Sequence, residues 1–249
     1  MQAYLTLARR ELASVFLSWI GYIVVAGSAF LTGLSFVSLL SKLAGESTPM
    51  PITELFLNLC FWLILLFSAP AITMRLFALE KFSGTFETLM TAPVGDAQVV
   101  LAKYTAAMIF YMLMWLPLLA CIFILRYFTH GVNMLDSGTL ASTFLGIFLI
   151  GSLYMSAGCF ASALTRNQIV AAMISFAIGL ALFLASFLGD QLAAEKTWQL
   201  QALNAVCIVE HMKEFARGVV DTRYVMFYLT STCFFLFLAC RVVESRRWK

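Results

Sequence analysis

Six apolar runs, at about 20–41, 53–74, 99–125, 139–163, 168–189 and 223–241, divide this 249-residue chain. Each is long enough to cross about 30 Å of hydrocarbon as a helix. A backbone in lipid must satisfy its own hydrogen bonds, so runs of this length admit a helical bundle and little else. The chain is 62% hydrophobic and 12% charged, whereas a soluble domain is about 45–50% apolar and about 25% charged. The mean hydropathy of +0.92 excludes both an ordinary soluble enzyme and a disordered chain. The expected fold is an all-α integral membrane protein, residues 1–249 forming one transmembrane domain.

Residues 1–18 repeat apolar positions at three- and four-residue steps (Leu5, Ala8, Leu12, Val15, Trp19), with Gln2, Arg9, Arg10 and Glu11 polar between them. That pattern predicts an amphipathic helix lying in the membrane interface. The apolar run after it is too long for a signal-peptide core, and no A-x-A site closes it, so the segment is expected to stay. Pro70 and Pro117 interrupt helical runs, which membrane helices tolerate when neighbours satisfy the freed backbone groups.

Lysine and arginine set the orientation. With both termini on one side, that face holds Arg9, Arg10, Arg75, Lys81, Lys103, Arg166, Arg241, Arg246, Arg247 and Lys249, while the short loops opposite hold only Lys42 and Arg126. Both termini are therefore expected in the cytoplasm, which makes 75–98 a cytoplasmic loop and 190–222 an external segment, half apolar but too polar to span.

Few residues could carry catalysis. The histidines are His130 and His211 only, and no G-x-S-x-G, H-E-x-x-H or G-x-x-x-x-G-K-[ST] occurs, so the chain itself is expected to be neither an enzyme nor a nucleotide binder. His211 and Glu214 stand one helical turn apart, too few ligands for a metal site, and no metal or cofactor is expected. The six cysteines show no C-x-x-C and read as small hydrophobes. No basic block suits nucleic acid. Glu54, Arg126, Asp136, Asp190 and Arg241 fall at span ends, and Asn58, inside an apolar run, is expected to make a helix-to-helix hydrogen bond. Span four carries Gly151, Ser152, Ser156, Ala157, Gly158, Ala161 and Ser162, which reads first as close packing, with a sliding face as the functional alternative. Any energy for transport must come from a partner.

The loop after span two is the most informative stretch. Charged Arg75, Glu80, Lys81 and Glu87 alternate with apolar Leu76, Phe77, Leu79, Phe82, Phe86, Leu89 and Met90. Ser83 and Gly84 interrupt a first short helix, Thr85 opens a second, and Pro93 and Gly95 end it. Either this is a connector resting on lipid, or its charges serve a protein partner.

The run M-R-L-F-A-L-E-K-F-S-G-T-F-E-T-L-M-T-A-P (74–93) resembles the signature of type-2 ABC transporter permeases, an M-R, an acidic pair with a basic residue, then G-T-x-E-x-L-x-T-x-P. Leu79 replaces the first acid of the pair. The stretches R-R-E-L-A-S-V-F-L-S-W-I-G-Y (9–22) and H-M-K-E-F-A-R-G-V-V-D-T-R-Y (211–224), with the closing R-R-W, are similar to the branch holding the gliding-motility-associated and multi-copper-enzyme-maturation permeases. The resemblance implies a permease subunit of a bacterial inner-membrane exporter. It would pair with a second copy or a paralogue, and each would bind a cytoplasmic ABC ATPase that holds the ATP and magnesium. Arg75, Glu80, Lys81, Gly84, Thr85, Phe86, Glu87, Leu89 and Pro93 would then form the ATPase-coupling loop, Phe86 and Leu89 supplying docking energy and the acids register. His211, Phe215, Arg217 and Gly218 would belong to re-entrant helices closing the external mouth. The alternative is a subunit that moves no solute and transmits ATPase motion to a periplasmic accessory protein, such as a gliding or secretion apparatus, through 190–222.

Overall fold

The computed structural model describes residues 2–45, 58–86, 95–128, 137–192 and 206–245. Among the described residues there are no strands and ten helices: α1 (Gln2–Phe16), α2 (Trp19–Gly45), α3 (Leu59–Thr73), α4 (Ala78–Ser83), α5 (Asp96–Met114), α6 (Leu116–Phe128), α7 (Ser137–Leu164), α8 (Gln168–Leu192), α9 (Ile208–Ala216) and α10 (Thr222–Ser245). Six stretches are long and apolar enough to span a membrane: Trp19–Lys42, Leu59–Ser83, Asp96–Leu125, Ser137–Leu164, Gln168–Ser186 and Thr222–Ser245. They overlap the six expected runs; the second differs most, its stretch running on to Ser83 through the start of the expected loop, while 51–57 at its expected start lie outside the described residues.

The two prolines act differently. At Pro117 the span divides into α5 and α6, with Trp115 N and Leu118 N bonding three residues back, to Met112 O and Trp115 O. Proline has no N–H and crowds the preceding turn, so the ladder breaks there. Pro70 stays inside α3 without ending it. Its missing N–H frees Leu66 O, while the hydroxyls nearby bond to other carbonyls, Thr73 Oγ1 donating to Ala69 O at 2.7 Å and Ser68 Oγ to Leu65 O at 3.4 Å.

Asn58 departs from expectation. It stands at the N-cap of α3, its Oδ1 accepting from Cys60 N at 3.4 Å. The bond stays within the first turn of its own helix, and Asn is a favoured N-cap because its side chain replaces a missing carbonyl.

α7 is the central helix. In its most apolar window 78% of residues are buried, against 28%, 22% and 17% for α2, α8 and α10. Those three therefore carry the outward apolar faces, and α7 carries the core. Its small residues are contact points: a methyl group at Gly158 would lie 2.2 Å from Thr73 Oγ1. The close-packing reading of span four holds there, since small residues let backbones approach where no hydrophobic effect draws helices together.

α1 turns into α2 at Leu17–Ser18. A Cβ at Gly21 would meet Val15 O at 2.3 Å, so the corner closes only around glycine. α1 packs on α5, with Tyr4 Oη donating to Thr105 Oγ1 at 2.9 Å and the Phe16 and Phe110 rings edge-on at 5.2 Å. Its faces differ from the expected pattern. Leu5 and Trp19 are exposed while Glu11 is buried, because Glu11 has a cationic partner inside.

Candidate functional site

α4 lies where four helices meet. The chain leaves α3 at Thr73, turns through 74–77 and forms only six residues of helix. Its N-cap position, Phe77, offers no side-chain acceptor. The acceptor comes instead from α7, where Ser162 Oγ receives Phe77 N at 3.0 Å and Ala78 N at 3.2 Å. The same hydroxyl donates to Met74 O at 3.2 Å. A serine does here, from another helix, what an N-cap normally does from the same one. Ser162→Ala leaves two buried N–H groups and a carbonyl without this partner, each worth about 1–3 kcal/mol. The expected loss is at least about 2 kcal/mol of stability, read by thermal unfolding in detergent; Ser162→Thr, which keeps the hydroxyl, should recover part of it.

Glu80, Lys103 and Glu11 form a buried charge cluster beside this cap. Lys103 Nζ on α5 lies 3.0 Å from Glu80 Oε1 and 3.0 Å from Glu11 Oε1, with its side chain 2% exposed. Arg10 on α1 reaches the same two oxygens at 2.9 and 2.8 Å from the exposed side. Its guanidinium is held above its ordinary value, chiefly by the hydrogen bond to Glu11 and then by the Glu11 and Glu80 charges, against the opposing push of burial. Phe77 places its ring 5.3 Å from Lys103 Nζ, adding a cation–π contact.

Of the other expected coupling residues, Lys81, Arg75 and Phe86 turn inward, and Gly84 and Thr85 are exposed. Lys81 Nζ donates to Ala163 O at the end of α7 and lies over the Phe86 ring at 5.2 Å. Arg75 Nη1 donates to Ser18 Oγ at the α1–α2 corner. Gly84 closes α4 with φ of 76°, in the left-handed region that glycine enters without a Cβ penalty. Thr85 follows, its Oγ1 2.8 Å from Ser83 Oγ. Phe86 is 8% exposed, covered by Lys81, whereas Phe82 is 78% exposed. The apolar side chain that α4 presents outward is therefore Phe82. Glu87, Leu89 and Pro93 lie outside the described residues.

Four participants escaped sequence reasoning: Arg10, Glu11, Lys103 and Ser162. Only Lys103 left a legible trace, as a charge a few residues inside the start of a span, and nothing in the local sequence paired it with positions 11 and 80. Beside the cluster, α1, α2, α3 and α4, with Phe110 of α5, line a partly open cavity of about 710 Å³, polar at Arg10, Arg75 and Glu80 and apolar at Val24, Ile72 and Phe110.

At the opposite end of the bundle α9 is sunk between α7, α8 and α10. His211, Met212 and Phe215 are fully buried. His211 stacks on Tyr224 with centroids 3.9 Å apart, and its Nδ1 is 3.1 Å from Tyr228 Oη. Ser142 Oγ of α7 donates to Phe215 O at 2.7 Å, and Ile208 N donates to Ser186 Oγ of α8 at 3.0 Å. Gly218 turns the chain with φ of 90° close to Thr139, and Arg217 is exposed. The four residues expected at the external mouth are thus split: His211 and Phe215 anchor α9, and Arg217 and Gly218 form the turn that leaves it. The stretch 193–205 lies outside the described residues.

The family model described as "ABC-2 family transporter protein" matches residues 49–210, more than half of the chain. No curated protein matches it. The matched stretch contains Glu80, Lys103 and Ser162, while Arg10 and Glu11 precede it.

Proposed function

Since the chain belongs to the ABC-2 transporter family, and so is a membrane-embedded permease subunit that partners an ABC ATPase, we propose that α4 and the residues after it are where that ATPase drives transport. The observation that carries this reading is the bonding of one short helix to three others. Glu80 ties α4 to α1 and α5 through Arg10 and Lys103, and Ser162 and Ala163 tie it to α7. A push on α4 is delivered to the central helix α7 and to α1 and α5. Stiffness is what such an element needs, and buried charge-assisted bonds supply it.

On this reading both termini and α4 face the cytoplasm of a bacterial inner membrane. Transport runs outward, and ATP and magnesium stay in the ATPase, so this subunit performs no chemistry. A second copy or a paralogue completes the path. The alternative, transmission of motion to an external machine without a solute, requires a partner-binding surface at 190–222. The inward burial of His211, Met212 and Phe215 supports a closing plug and so favours translocation.

Docking of the ATPase should depend on Phe82. Covering an exposed phenylalanine is worth about 1.5–3 kcal/mol, so Phe82→Ala should lower ATPase recovery in a detergent pull-down by at least about tenfold. Its unfolding temperature should stay near that of the parent. Unchanged recovery would remove α4 from the contact.

A further inference from the structure

We infer that the cavity between α1, α2, α3 and α4 binds an anionic amphiphile with a single acyl chain. The inference does not depend on α4 being the ATPase contact. The cavity measures about 710 Å³, inside the range of about 300–1,000 Å³ for small-molecule sites. Its lining has two chemical parts: Val15, Val24, Ile72 and Phe110 are apolar, and Arg10, Arg75, Glu11 and Glu80 are charged.

The charges decide the sign of the ligand. Glu11 and Glu80 each share one oxygen between Lys103 and Arg10 at 2.8–3.0 Å, so two cations balance two acids, with Glu80 Oε2 left without a hydrogen-bond partner among the described residues. Arg75 is different. Among the described residues it forms no ion pair, and its guanidinium is steadied by the neutral Ser18 hydroxyl. A guanidinium fixed by one neutral bond still has donors to offer, and its planar fork suits a phosphate or carboxylate. An acidic headgroup on Arg75 with its chain along Val24 and Phe110 fills both parts of the cavity. A free inorganic anion leaves the apolar part empty, and a neutral lipid leaves Arg75 unmatched.

The test is native mass spectrometry of the full chain in detergent, offered palmitoyl-lysophosphatidylglycerol or palmitoyl-lysophosphatidylcholine. The parent should retain the anionic lipid about tenfold more than the zwitterionic one, as one charge-assisted contact implies. Arg75→Gln should erase that preference while chain-dependent retention persists. Ser14→Trp, at an exposed position on the cavity wall, should block retention of both lipids without touching the core. Equal retention of the two lipids by the parent overturns the inference, as does full retention by Ser14→Trp. Lipid extracted from protein purified from its own membrane separates two sources. A single-chain acidic lipid also present in the bulk extract means a resident lipid, and a single-chain anionic amphiphile rare there means cargo; each supports the site, whereas enrichment of two-chain lipids alone overturns it. No enrichment over Ser14→Trp overturns it.

Discussion

Lys103→Met lowers the unfolding free energy by about 3–5 kcal/mol, the usual cost of removing one partner from a buried ion pair. Lys103 is 2% exposed and its Nζ is 3.0 Å from both Glu11 Oε1 and Glu80 Oε1. Without it two carboxylates face each other with only Arg10 between them. Arg10 contacts the same oxygens, yet its side chain is 55% exposed. Arg10→Gln should therefore cost no more than about 1 kcal/mol, as solvent-screened pairs do. Two cations on one pair of acids thus differ severalfold in effect through burial alone. Thermal unfolding in detergent measures both. Adding Glu11→Gln to Lys103→Met should recover part of the loss by removing one stranded charge. A Lys103→Met penalty as small as that of Arg10→Gln would mean that water reaches the cluster.

The second large effect belongs to Gly151. A Cβ built there lies 2.0 Å from Tyr111 Cε1 and 2.6 Å from Cζ. Tyr111 has no room to swing: it is fully buried, its hydroxyl donates to Ile147 O at 3.3 Å, and Trp115 stands edge-on with centroids 6.0 Å apart. Overpacking costs about 1–3 kcal/mol where neighbours can shift, and a contact this short against a fixed ring places Gly151→Ala at or above about 3 kcal/mol. Gly27 is the control, because a Cβ there has nothing within 4 Å. Gly27→Ala should be neutral or gain up to about 1 kcal/mol from helix propensity. Tyr111→Leu combined with Gly151→Ala should restore most of the loss. Equal behaviour of the two glycine variants would show that α5 and α7 are not in contact at this level.

The spans were legible because apolar length is a local property, summed over about 20 neighbouring residues. Partnership is not local. Glu11 reads as the polar face of an amphipathic helix until Lys103, far along the chain, is placed beneath it. Phe86 reads as an exposed docking residue until Lys81 covers its ring. Asn58 read as an interior polar residue because the apolar run continues on both sides of it, and only the helix start reveals an N-cap. Pro70 and Pro117 have the same local chemistry, yet one breaks its helix and the other does not. The loop signature located α4 and the family together, but the cap that forms it comes from Ser162, a residue that read only as one of several small ones in span four.

That borrowed cap has a thermodynamic consequence. Six residues are far below the length at which a helix repays its own nucleation in water, about 12–15 residues even for favourable sequences. Cut out as a peptide covering 75–86, α4 should be coil by circular dichroism. Within the protein its winding is then a conditional state, held at equilibrium by the proximity of α7. Any rearrangement that draws Ser162 away from Phe77 and Ala78 melts the first turn as it moves. Amide hydrogen exchange at those two positions would time that separation directly.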